Sequence, residues 1–196
     1  MRGLEFDARE LGDLLVAWAA LALAFTFFFE RGVLADPATA LSMEFLWALA
    51  LNAGTVGVAF LLHELAHKVV AVHYDQRAAF RADYGMLFVA VMGGLAGFIF
   101  AAPGAVHHRG WLTEREGALI ALAGPATNIV LTGVFVAIAA FEPVLWRGVW
   151  VNALLAAFNL LPIGGLDGRR VLDYSKPMYA ASMGVAVALA VVVFLS

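Results

Sequence analysis

Long apolar runs alternate with short polar breaks along the whole chain. Six runs approach the roughly 20 residues that a helix needs to cross a hydrocarbon layer of about 30 Å. They are residues 14–29, 45–62, 86–102, 117–141, 148–166 and 177–195. The second run leads straight into His63, the third is rich in glycine, and Pro162 breaks the fifth. No repeat and no polar linker divides the chain, so residues 1–196 are expected to form one transmembrane domain. Composition agrees. Apolar residues make up 63%, charged residues 14%, and mean hydropathy is +0.89, against about half apolar and a quarter charged in soluble domains. The pattern predicts an all-α polytopic protein whose surroundings are the lipid bilayer.

Charge and cysteine content narrow the chemistry. A net charge of −3 argues against a nucleic-acid partner, which calls for a basic face. The chain has no cysteine, so any metal must be held by His, Asp or Glu. The first thirteen residues mix Arg2 and Arg9 with Glu5, Asp7, Glu10 and Asp13. A signal peptide starts with a basic region instead, so the first apolar run is expected to stay in the mature protein.

The stretch Leu61-Leu62-His63-Glu64-Leu65-Ala66-His67-Lys68 carries the clearest chemistry. His63 and His67 are four apart and share one face of a helix. H-E-x-x-H on a helix lets both imidazoles hold one zinc ion, with the Glu as general base. Five histidines and eight glutamates in 196 residues rarely give this pattern by chance, and ionisable groups inside a membrane mark function. The bland alternative is a histidine pair at the interface beside a snorkelling Lys68.

A catalytic zinc takes a third protein ligand and keeps a position open for water. Asp167 is the strongest candidate. In the segment FNLLPIGGLDGRRVL, Pro162 stops a helix, and Gly164, Gly165 and Gly168 let the backbone turn sharply. Asp167 is therefore expected near a membrane face on a flexible tether. Taken alone it would be an ordinary loop carboxylate. His107 and His108 are rival ligands, although adjacent histidines in a polar turn are more often surface residues. His73 lies six residues past His67 and points off the shared face.

Three motifs together resemble the site-2 protease family of intramembrane zinc metalloproteases. They are His63-Glu64-Leu65-Ala66-His67, then Asn159-x-x-Pro162-x-x-x-x-Asp167-Gly168, then Gly124-Pro125-x-x-Asn128. The match covers about residues 45–172. The resemblance implies His63, His67 and Asp167 as ligands of one zinc ion, with Glu64 as the catalytic base. It also implies that Asn159 helps to hold the substrate carbonyl or the oxyanion. The implied activity is hydrolysis of peptide bonds within or near transmembrane segments of membrane proteins. The form is minimal, without the PDZ or CBS domain many members carry. The 86–102 run is longer and more apolar than the short β segment expected after H-E-x-x-H. The other motif residues have plainer readings: Gly124 is a close-packing position, and Asn128 either bonds a neighbouring helix or braces Asp167.

Geometry then constrains topology. His63 and His67 are expected toward the C-terminal end of their helix and Asp167 past the C-terminal end of its own, so two helices sharing an ion must run parallel, with an odd number of crossings between them. One of the two intervening runs therefore does not fully cross. The run 117–141 has 25 uncharged residues, ample for a span. The run 86–102 is expected to dip in and return through residues 97–106, with 98–106 an exposed edge for an extended substrate. The basic residues agree. Six crossings divide Lys and Arg evenly between the two sides. Five crossings plus a re-entrant hairpin place ten on one side and only Arg31 and Arg147 on the other, as the positive-inside rule favours. The expected fold is thus five spanning helices plus a re-entrant hairpin, with six spanning helices as the alternative. The zinc site is expected toward the cytoplasmic side of the cell membrane. The rival functions are a metal transporter or sensor using the same His/Asp site, a membrane-anchored protease for soluble peptides, and an inactive binding relative.

Overall fold

The computed structural model describes residues 3–34, 36–99 and 103–195. Its helices are α1 (Ala8–Phe29), α2 (Met43–Asn52), α3 (Val58–His73), α4 (Tyr84–Ala96), α5 (Glu114–Ala139), α6 (Trp146–Asn159), α7 (Asp167–Tyr174) and α8 (Lys176–Leu195). Strands β1 (Arg77–Ala82) and β2 (Gly104–Arg109) pair in a two-stranded sheet. The all-α expectation is corrected to that extent. Neither strand has strong β propensity. They pair because the chain between them leaves and returns at one place, where the Asp83 N–H donates to the Pro103 carbonyl at 3.0 Å.

Among the described residues, four helices are long and apolar enough to cross a membrane: Ala8–Phe29, Met43–His73, Glu114–Ala139 and Lys176–Leu195. The second joins α2 to α3 through a π turn at Ala53–Gly57. The run 148–166 does not form one long helix. α6 has 14 residues, about 21 Å at 1.5 Å per residue. Pro162 has no N–H for the Phe158 carbonyl, and it biases Leu161 away from helix. The Leu161 N–H closes instead on Phe158 at 3.0 Å, and the helix has already ended at Asn159.

The described residues fall into two compact units. The first holds residues 6–61 and 79–107. In it α1 and α4 lie side by side and parallel. The Tyr84 hydroxyl donates to Asp13 at 2.7 Å near the start of both. Gly94 meets the Ala24 backbone so closely that a Cβ would overlap it, and Arg31 reaches the Gly97 carbonyl at 3.4 Å beyond the end of α4. Gly97 caps α4 at φ 87°, a left-handed conformation glycine adopts without steric cost. Leu14, Ala17, Leu21, Phe60, Phe80 and Leu87 form the core. The π turn shifts the local bonding, and the Ala53 carbonyl accepts from the Trp18 indole at 3.0 Å. The buried Glu10 carboxylate accepts the Phe80 N–H at 3.0 Å and so covers the edge of β1 that faces away from β2. Of the return limb and edge expected at 97–106, residues 100–102 lie outside the described residues.

The second unit holds residues 3–5, 62–78 and 108–195. α5 and α6 form an antiparallel pair, with Gly148 under the Phe135 ring and Asn152 opposite Asn128. α8 returns along α6, where Trp150 packs on Phe194 with ring centroids 5.2 Å apart. Apolar clusters around Phe135 and Val149, and around Ala156, Leu160 and Ala186, fill the space between. The second half of α3 lies along α5: His63 bonds Asn128 and His67 bonds the Ile120 carbonyl. It therefore runs opposite to α5 and parallel to α6, as a shared ion requires. Lys68 does not snorkel. It is 1% exposed and donates to the Glu5 carbonyl, because the helix continues past it to His73 and leaves it far from the helix end.

Candidate metal centre

Three side chains from two elements converge on one point. α3 presents His63 and His67 one turn apart, and α7 presents Asp167 from its first residue. Asp167 is not on a flexible tether. Gly168 sits so close to the Leu160 carbonyl that a Cβ would collide with it, which pins the start of α7 to the end of α6. The Nε2 atoms of His63 and His67 are 3.0 Å apart, and they lie 3.5 Å and 3.3 Å from Asp167 Oδ2. A tetrahedral zinc with ligand distances of 2.0–2.1 Å has edges of about 3.3–3.4 Å between ligand atoms. The three donors fit one face of that tetrahedron, and they are the one such group among the described residues. The chemistry of the set, two imidazoles and a carboxylate, fits zinc.

The surroundings are built for these side chains. Gly124 of α5 faces both imidazoles, and a Cβ there would overlap the Nε2 atoms. Its absent side chain is what leaves room for an ion, a sharper role than close packing. Pro125 removes the N–H that would serve the Ala121 carbonyl and loosens that turn of α5. The adjacent Ile120 carbonyl accepts from His67 Nδ1 at 2.7 Å. Asn128 braces His63, not Asp167, at 2.5 Å. Glu64 is buried beside its ligand neighbour at 8% exposure.

The remaining candidates have partners of their own. Asn159 sits in the last turn of α6, with its amide donating to the Leu155 carbonyl at 2.9 Å. His108 of β2 contacts Arg170 at 3.2 Å, and His73 meets the Tyr74 ring edge-on. None of these histidines joins the metal group. Sequence reasoning missed Asn152, which is fully buried and bonded to Asn128 at 2.8 Å. An amide inside an apolar run was the available signal, since such groups are costly in hydrocarbon.

Ile120 and Gly124 lie three and seven residues inside the uncharged run 117–141. That is about 5–10 Å along α5 at 1.5 Å per residue. A helical membrane protein with H-E-x-x-H and a third carboxylate gathered in one group has the layout of a membrane metallohydrolase. Comparison with known proteins gives the family. The chain is 35% identical over 184 residues to "Putative zinc metalloprotease MJ0611" of Methanocaldococcus jannaschii, covering 89% of each chain. It is 32% identical over 171 residues to "Putative zinc metalloprotease YwhC" of Bacillus subtilis, covering 72% of this chain and 76% of that one. A third relative, "Putative zinc metalloprotease Rip3" of Mycobacterium tuberculosis, is 34% identical over 137 residues, which are 64% of this chain and 31% of Rip3. No family model and no solved structure matches. The chain belongs to the site-2 protease family of zinc metalloproteases; it is a membrane protein and its cofactor is zinc.

Proposed function

We propose that this protein is an intramembrane metalloprotease that hydrolyses peptide bonds within or near transmembrane segments of other membrane proteins. The observation that carries the reading is the position of the three donors: 3.0–3.5 Å from one another, with the two imidazoles against Ile120 and Gly124 of α5, which lie about 5–10 Å inside the apolar run of that helix. His63, His67 and Asp167 hold the zinc. When bound, the ion supplies Lewis acidity that polarises a carbonyl and brings the pKa of water toward about 7. Glu64 takes the proton of the attacking water as its oxygen bonds to the scissile carbonyl carbon, then delivers that proton to the amine nitrogen as the C–N bond breaks. Asn159 turns its amide from Leu155 toward the developing oxyanion.

A transmembrane helix hides its carbonyls in its own hydrogen bonds, so the substrate must be held extended. β2 suits this task. Its partner β1 has one edge against β2 and the other occupied at Phe80 by Glu10. The far edge of β2 has no strand beside it among the described residues. An extended substrate adds there.

The meeting of Asp83 and Pro103, together with the parallel run of α4 beside α1, supports a re-entrant hairpin at 83–103. With α6 as a short fifth crossing, residues 1–196 form one catalytic domain of five crossings. The zinc site then faces the cytoplasm in the cell membrane, on the side carrying ten of the twelve basic residues.

The test is cleavage of a panel of tagged single-span membrane proteins by purified wild type and Glu64→Gln in detergent, with zinc measured in both. Zinc-dependent cutting within a span by wild type alone is expected, and it disappears on chelation. Metal transport that survives Glu64→Gln, without cutting by either protein, would overturn the protease in favour of a transit site.

A further inference from the structure

The two metal-facing histidines are anchored differently. His67 Nδ1 faces a backbone carbonyl, that of Ile120. A carbonyl only accepts, so Nδ1 carries the proton and Nε2 keeps its lone pair. His63 Nδ1 faces the Asn128 side chain. An amide presents either an acceptor or a donor, depending on which way it is turned. If Asn128 turned its Nδ2 to His63, the proton would move to Nε2 and block the metal-facing nitrogen.

Asn152 prevents that turn. Its Nδ2 donates to the Gly148 carbonyl at 2.8 Å, again an obligate acceptor, so its Oδ1 must face the other way. That Oδ1 accepts from Asn128 Nδ2 at 2.8 Å. Asn128 is then obliged to aim its own Oδ1 at His63. Asn128 and Asn152 are each 0% exposed, so no water substitutes for either amide. The polarity of the relay runs from a backbone carbonyl of α6 through two amides to one imidazole.

We propose that Asn152 is a positioning residue of the metal centre: through Asn128 it holds His63 as the Nδ1–H tautomer with Nε2 toward the zinc. This rests on the reading of His63 as a zinc ligand. A buried amide pair could instead serve only as glue between α5 and α6, and the two roles separate in experiment.

The measurement is the ¹⁵N spectrum of histidine-labelled, metal-free protein in detergent, at a pH where the rings are neutral, for wild type and Asn152→Leu. Zinc affinity is measured by chelator competition on the same samples, and folding by thermal melting. In wild type, His63 and His67 are both Nδ1–H. In Asn152→Leu, His63 acquires the Nε2–H form while His67 is unchanged, and zinc affinity falls roughly 10–100-fold, the usual scale for losing an outer-shell partner. Asn152→Ser, too short to reach Asn128, gives the same pattern and serves if the leucine variant does not fold. A folded variant with an unchanged His63 tautomer and unchanged zinc affinity overturns the proposal and leaves the glue role. If wild-type His63 Nε2 does not shift on adding zinc, the ligand assignment itself fails, and the proposal with it.

Discussion

At the scale of single residues, the metal centre depends on a side chain that is missing. Gly124 looks like one of many small residues in an apolar helix, yet a Cβ there would overlap both ligand nitrogens. Gly124→Ala is expected to abolish stoichiometric zinc binding while leaving the protein folded, because one methyl perturbs α5 little but fills the ion's place. Zinc analysis beside a thermal melt checks this. Glu64→Gln works in the opposite sense. The amide keeps size and burial but cannot take a proton, so zinc stays bound and the cleavage rate falls by about 10²–10⁴-fold, the usual worth of a general base. Retained cleavage would mean that another group receives the proton. Asn159→Ala should lower kcat by about 10²-fold or more with zinc unchanged; unchanged kcat would remove Asn159 from the chemistry.

At the scale of elements, the position of Asp167 comes from an early helix end. α6 stops at Asn159, the chain turns through Pro162 and Gly164, and α7 restarts with Asp167 against the Leu160 carbonyl. The sheet has its own logic. The Asp83–Pro103 bond sets the register, so the two strands run antiparallel, Ala105 pairs with Arg81 in the ladder, and Val106 directs its N–H away from β1. Val106→Pro removes that edge donor and spares the ladder bonds. Cleavage of membrane substrates is expected to fall several-fold with zinc content unchanged. Full activity of a folded Val106→Pro protein would argue against substrate addition to β2. Gly104 is a poorer place for this test, because its φ of 145° strains any other residue before a substrate arrives.

At the scale of the whole molecule, the proposed re-entrant hairpin decides which side each loop faces. The chain has no cysteine, so single introduced cysteines report topology cleanly. Cysteines at Arg77 and at Trp111, the latter 99% exposed, are expected to react with an impermeant reagent from the same, cytoplasmic side. Six full crossings would place them on opposite sides.

The sequence by itself determined the class of protein, the metal chemistry and most of the ligand set. Apolar run length, the i, i+4 histidine spacing and the absence of cysteine are local properties, and local properties survive without a fold. The requirement that two helices run parallel also followed from the sequence, because one ion cannot be shared between opposite membrane faces. Only the tertiary structure decided the rest. Whether Lys68 snorkels or is buried, whether Gly124 packs a helix or makes room for an ion, and which way Asn128 turns depend on residues tens of positions away. The sheet, too, exists because two weak segments are brought together by the chain between them. Steric room and hydrogen-bond polarity are properties of pairs in space, and the order of residues along the chain does not specify them.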